Sequence, residues 1–315
     1  MKAIMYHYVR EFNEDIPYFK NLHIEDFKKQ LEYFESEYGF VSKEDFLNAI
    51  STGKNPDGII LTFDDGLKDH FTYVLPILLE RSLWGIFYIP TLMYNDNKFL
   101  DVHRIHLLLG RFKGAIIYDE LIKIVNNDML TDKLKNESNE LTYNLQINDN
   151  HTTLVKRILN YYISYKYREK VIDTLMERLI PEYQRAYQTF YMTPAEIKII
   201  QEKGMIVGSH TVSHPVMSKL SLDEQKYQIE NSFNFLERST GGLHLKTFCY
   251  PYGGFHTFTK ETVNILEKND CLFSFNKEPR DIEVNDLLNN PQSLPRYDCN
   301  QFKYGQCRIN TEIIQ

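Results

Sequence analysis

Two pairs of side chains have the types and spacing for metal-assisted proton transfer. The first, Asp64-Asp65, ends the apolar run Ile59-Ile60-Leu61-Thr62-Phe63 and precedes Gly66. A short apolar run of this kind reads as a buried strand. Two carboxylates this close repel, so one must be neutralised by a proton or a cation. Gly66 lets the backbone turn just past them, so that both can face one pocket. One aspartate holding a metal while the other moves a proton accounts for the pair; a solvated Asp-Asp-Gly turn is the ordinary alternative. The second pair is His210 and His214 in Ser209-His210-Thr211-Val212-Ser213-His214-Pro215. Four-residue spacing on one helical turn brings two imidazoles to one face, within reach of a single cation, and Pro215 limits that turn. One carboxylate with two imidazoles leaves positions open for water, as in catalytic zinc sites, and the same set suits non-haem iron. Taken alone, the histidines read equally well as satisfied surface residues.

Both pairs must be carried by strand ends, and the surrounding sequence supplies them. Ala3 to Tyr8 reads as a first strand with His7 near its end. Ile24, Phe27, Leu31 and Phe34 recur at helical spacing, predicting a helix to about Glu37, and a second helix runs from Ser42 to near Gly53. After the Asp-Asp strand, Phe71–Leu83 reads as a helix despite Pro76, and Trp84–Pro90 as another buried strand. Alternation of strand and helix favours a parallel sheet or barrel. From about 95 to 190 the composition turns polar and helical periodicity dominates, in Tyr118–Val125, Leu154–Ile163 and Val171–Ile180. This predicts a mostly helical insertion, since no flexible linker bounds it. The β/α pattern resumes with a capping box at Thr193-Pro194-Ala195-Glu196, a strand into His210, a helix opened by Ser221 and strands at Lys246–Tyr250 and Cys271–Phe275. From Asn276 on the sequence reads as irregular, with Leu294-Pro295-Arg296-Tyr297 standing out.

The chain has 315 residues, 43% hydrophobic, with 22 Tyr and 20 Phe against one Trp. That is ample for one large core or two small ones. The formal net charge of −7 argues against a nucleic-acid-binding face. The opening Met1–Glu11 is not a secretory signal, because its apolar run is short and is broken by His7, Arg10 and Glu11. Leu83–Tyr94, the most apolar window, is too short to span a bilayer. These features predict a soluble, cytoplasmic protein. Cys249, Cys271, Cys299 and Cys307 lack CxxC spacing and are expected to be free thiols.

Thr62-Phe63-Asp64-Asp65-Gly66, His210-x-x-x-His214 and Tyr250-Pro251-Tyr252-Gly253, in that order, resemble the NodB-homology polysaccharide deacetylases, carbohydrate esterase family four. The resemblance covers roughly residues 1–95 and 190–275. It implies an α/β fold, a distorted β/α barrel, with 1–315 forming a single catalytic domain that carries the helical insertion at about 95–190. It implies removal of N-acetyl or O-acetyl groups from a sugar with a divalent metal, zinc being the expected ion. By the same resemblance Asp64 is the general base, Asp65 binds metal with His210 and His214, and the Tyr252 N–H helps hold the oxyanion. Where the family's third motif often carries an arginine, Cys249 stands, and its late Leu-x-His source of the general acid is not seen after Gly254. His7 and Arg296 are therefore candidates for the same site: His7 as a further group on the same face, Arg296 to orient a carboxylate or bind substrate. His256, His103 and His106 are weaker candidates.

The expected partner is an N-acetylated sugar, nucleotide- or lipid-linked, in surface polysaccharide assembly. Two other readings stand beside this one, a hydrolase of a non-sugar amide and a non-catalytic carbohydrate-binding relative. The sequence leaves the oligomeric state open.

Overall fold

The computed structural model describes residues 1–96, 98–130 and 149–310; positions 97 and 131–148 of the expected insertion lie outside the described residues. The chain divides into two compact units. The first comprises Met1–Glu11, Asn21–Lys98 and Gln188–Cys307; the second comprises Phe12–Lys20, Phe99–Tyr187 and Arg308–Gln315.

The first unit is built on seven strands: β1 (Lys2–Tyr6), β2 (Ile59–Phe63), β3 (Ile86–Ile89), β4 (Ile206–Ser209), β5 (Lys246–Cys249), β6 (Cys271–Phe275) and β7 (Tyr297–Asp298). Their spatial order is β6-β5-β4-β3-β2-β1-β7, and every pairing is parallel. This is the expected distorted β/α barrel. The central strands β2, β3 and β4 are buried on both faces, which explains why they read as continuous apolar runs rather than alternating ones. Ile59, Leu61 and Phe63 of β2, with Phe87 and Ile89 of β3, pack against Phe27, Leu31 and Phe34 of the Ile24–Glu37 helix. Residues of the opposite parity, Ile60, Ile86, Tyr88 and Ile206, form a second core with Phe273 and Phe275 of β6.

Polar side chains set the helix starts between these strands. Ser42 accepts from the Asp45 N–H, and Thr193 and Ser221 form reciprocal capping boxes with Glu196 and Glu224. Gly53 and Gly241 end their helices with left-handed backbone.

The structure corrects three local readings. The Phe71–Leu83 helix begins as a wide turn, His70–Val74, whose closing bond runs from Leu75 N to His70 O; regular helix follows only over Leu75–Glu80. Pro76 has no N–H to continue a regular ladder, so it sits at the start of the helix rather than within it. The segment from Asn276 is not wholly irregular: it contains the Val284–Asn289 helix and β7. A two-residue strand is too short to show periodicity. His210–His214 is not a helical turn, since Thr211 and His214 both have left-handed backbone.

The short C-terminal strand closes the ring. Leu294 N donates to Ser274 O and Asn276 N to Leu294 O (2.8 and 2.9 Å), joining the chain to β6. Three residues later Tyr297 and Asp298 pair with Ile4 and Met5 of β1. One stretch, 294–298, thus bridges both edges of the sheet.

The second unit contains helices at Asp101–Arg111, Gly114–Leu121, Asn150–Arg157 and Tyr165–Leu179. It has its own apolar core, including Ile105, Leu108, Ile117, Leu159, Ile172 and Leu175. Buried Arg104 and Arg168 are both paired with Asp101 there.

Candidate active site

Parallel strands deliver the chemistry-bearing residues to one end of the sheet. His7 follows β1, Asp64 and Asp65 follow β2, His210 follows β4, and Cys249 is the last residue of β5. This is the strand end at which sites assemble in β/α folds.

Asp65, His210 and His214 converge. Both imidazole Nε2 atoms lie 3.5 Å from Asp65 Oδ1. The three donor atoms lie within 4.8 Å of one another, and all three residues are buried. Bonds of about 2.0–2.1 Å at tetrahedral angles would set such atoms about 3.3 Å apart, so the set fits a zinc-sized ion with little adjustment. The donor chemistry fits too, because His210 Nδ1 lies 2.7 Å from the Cys249 carbonyl. Donation there leaves Nε2 as the free lone pair. Burial lowers the His210 pKa, against the pull of Asp64, Asp65 and the Cys249 carbonyl, which favours the neutral, metal-binding form.

The backbone here is held in uncommon conformations. Asp65 (φ 81°), Thr211 (69°), His214 (57°) and Tyr252 (63°) are all left-handed without being glycine. Each costs on the order of 1–3 kcal/mol, and such residues persist only where their surroundings impose them. At His214 the imposition is visible, since its N–H donates to Thr211 Oγ1 at 2.9 Å. The His214 ring packs edge-on to Tyr252, with centroids 5.0 Å apart.

Asp64 is held differently. Arg296 grips it with Nη1 to Oδ1 at 2.9 Å and Nη2 to Oδ2 at 2.8 Å. The same guanidinium donates to Thr62 Oγ1, Cys249 Sγ and the Asn276 carbonyl. All five N–H donors of an arginine are thereby engaged, and Arg296 is 1% exposed. This geometry suits carboxylate orientation, one of the two roles read for Arg296. Burial alone would raise the Asp64 pKa, but the charge of Arg296, with His210 and the Arg296 hydrogen bonds, brings it down to about 2. Asp64 is ionised at neutral pH. Burial pushes the Cys249 thiol far up, so it stays protonated and points its hydrogen at Asp64 Oδ2, 3.5 Å away. Asp64, His210 and Cys249 also cluster within metal-ligand distance, but Arg296 and the protonated thiol make that side unsuited to a cation.

His7 Nε2 lies 3.9 Å from Asp65 Oδ2, and its side chain is 36% exposed, the most open of the group. Its carbonyl lies 2.7 Å from Nε2 of buried His70, whose pKa is lowered to about 4 by burial. His256 stands in the loop after Tyr252, where its carbonyl accepts from Ser218. His103 and His106 belong to the second unit.

Motif reading missed how Cys249 serves the site twice, through its carbonyl to His210 and its thiol between Arg296 and Asp64. It also missed Thr62 and Asn276 as guanidinium acceptors. Only Thr62, a polar residue inside the apolar run of β2, carried a signal.

A family model described as "Polysaccharide deacetylase" matches residues 135–273, a span that holds both histidines and Tyr250–Gly253 but not the aspartates. A chitooligosaccharide deacetylase from Azorhizobium caulinodans is 29% identical over 104 residues, 31% of this chain and 49% of that protein. The match thus spans about half the length of that relative. The fold is similar to that of the Streptococcus pyogenes deacetylase PplD, solved with acetate, at 16% identity and a TM-score of 0.57 over 95% of this chain and 91% of that one. It is similar also to IcaB from Ammonifex degensii, at 15% identity and a TM-score of 0.53 over 94% and 90% of the respective chains.

Proposed function

We propose that this chain, a relative of the polysaccharide deacetylases, is a metal-dependent hydrolase that removes the acetyl group from an N-acetylated sugar. The observation that carries the reading is the convergence of Asp65, His210 and His214 beside an ionised Asp64. Asp65, His210 and His214 would hold the divalent ion, with zinc the proposed metal. When bound, zinc supplies polarisation of the acetyl carbonyl and lowers the pKa of water from 15.7 towards about 7.

The remaining steps fall to side chains. Asp64 takes the proton of the attacking water as general base; Arg296 keeps it ionised and aimed. The Tyr252 N–H contributes to the oxyanion site, an effect on the order of 3–4 kcal/mol per donor. His7 is proposed to return a proton to the departing amine. Its openness and its position beside Asp65 support this.

The chain is proposed to be one catalytic domain with the helical unit inserted. Support comes from β3 and β4, which pair directly from Ile86↔Ile206 to Ile89↔Ser209 although the helical unit separates them in sequence. The narrower substrate proposed is a nucleotide- or lipid-linked intermediate of surface polysaccharide assembly, handled in the cytoplasm. Four cysteines carried as free thiols suit a reducing compartment.

The test is acetate release from N-acetylhexosamine conjugates by the purified chain. Release that stops with chelator, returns with zinc and is lost in Asp65→Ala supports the proposal. Release indifferent to chelator and unaffected by Asp65→Ala overturns it.

A further inference from the structure

The loop carrying the two histidines is held from two sides: Thr91 N and Leu92 N donate to its Thr211 and Val212 carbonyls, and the Leu222–Thr240 helix meets its N–H groups. On Leu222–Thr240, Gln228 and Ser232 lie four residues apart on the buried face, among Ile229, Phe233 and Leu236. Buried polar side chains on an apolar face are costly unless their hydrogen bonds are made. Gln228 directs its side-chain hydrogen bonds to the histidine loop. Its Oε1 accepts from Val212 N and Ser213 N, both at 2.9 Å, and its Nε2 donates to Ser213 Oγ at 2.9 Å. Ser232 Oγ lies 2.5 Å from Ser209 Oγ, which in turn accepts from Thr211 N at 3.2 Å. A loop with left-handed Thr211 and His214 has no helical or sheet ladder to satisfy the N–H groups between them, and Gln228 supplies that acceptor.

We infer that Gln228 is a positioning residue for His210 and His214: it fixes the loop between them in the strained form that aims both imidazoles at Asp65. The inference rests on the metal-site reading above, and the loop geometry it concerns is read from the chain's own hydrogen bonds.

Gln225 provides the control. It sits one turn earlier on the same helix, is buried, and its side chain bonds to Leu220 O and Thr262 Oγ1, away from the histidines. Gln228→Leu, Gln228→Glu and Gln225→Leu would be compared as full-length chains. The first readout is amide exchange of residues 209–214 without metal. The second is the zinc dissociation constant, measured by competition with a chromophoric chelator. Gln228→Leu should speed exchange in that loop at least tenfold and weaken zinc by 10–100-fold, the range found for outer-shell supports of metal ligands. Gln228→Glu keeps the paired acceptor and should restore zinc affinity to within about threefold of wild type. Gln225→Leu should lower the melting temperature with zinc affinity unchanged. The inference is overturned if Gln228→Leu only lowers the melting temperature, with loop exchange and zinc affinity as in Gln225→Leu. Wild-type protein that binds no zinc would sink the metal reading instead, and the exchange comparison would still decide the role of Gln228.

Discussion

The guanidinium of Arg296 and the carboxylate of Asp64 form a fully buried bidentate pair. Removing one member leaves an uncompensated charge, which costs about 3–5 kcal/mol. Arg296→Met should therefore lower the melting temperature by on the order of 10 °C and reduce acetate release at neutral pH, because Asp64 loses the charge that keeps it ionised. A variant melting like wild type would show that the pair is not formed in solution. The acid side follows from linkage. Asp64 ordinarily titrates at 3.8 and is depressed to about 2 in the fold, so its stabilisation is present above about pH 4 and is lost as pH falls from there towards 2. The amount is on the order of 2 kcal/mol. Urea midpoints between pH 5 and 2.5 should fall in wild type and flatten in Asp64→Asn; parallel slopes would contradict the assignment. The cluster proposed to hold the metal was legible as a candidate in the sequence because its residue types are chemically unusual where they stand, two acids and two imidazoles beside strand ends. The partner of Asp64 was only half legible. Arg296 lies 232 residues from it, and no local pattern reports a contact at that distance.

At the level of elements, strain separates working backbone from tolerated backbone. Asp270 (φ 59°) is left-handed in the tight turn between the Lys260–Lys268 helix and β6. Asp270→Gly should relieve that conformation and raise stability by up to about 1 kcal/mol. Thr211→Gly removes the same kind of strain but also Oγ1, the acceptor of the His214 N–H. It should bring no such gain and should weaken zinc binding. Equal stabilisation in both would mean the Thr211 hydroxyl contributes nothing. Gly208 poses the opposite problem. A Cβ there would meet the Tyr88 ring at 2.5 Å and Thr247 Cγ2 at 2.7 Å, so Gly208→Ala should cost about 1–3 kcal/mol in urea unfolding, through overpacking two residues before His210. Helices and capping boxes were the most legible elements, since period and caps are local. The wide turn before Pro76 and the two-residue β7 were not, because one depends on a missing N–H and the other on partners far along the chain. The His210–His214 loop was misread for a related reason. Spacing of four suits a helical turn, but here proximity comes from left-handed backbone and a glutamine on another helix.

For the barrel unit as a whole, closure depends on the stretch 294–298, which joins β6 to β1. Leu294 is completely buried, and Leu294→Ala should cost about 2–5 kcal/mol. If the seam also places Arg296, this variant should lose acetate release several degrees below its melting temperature; loss that coincides with global unfolding would refute that coupling. The barrel class was legible from the rhythm of strand and helix, but its closure was not, because the closing strand has no rhythm. The stretch that completes the ring also brings the counter-charge for the proposed base. A chain still emerging from the ribosome, or clipped before Leu294, can own every proposed metal ligand and yet leave Asp64 without its counter-charge. On the proposed mechanism, the last strand to leave the ribosome is thus also the one that arms the base.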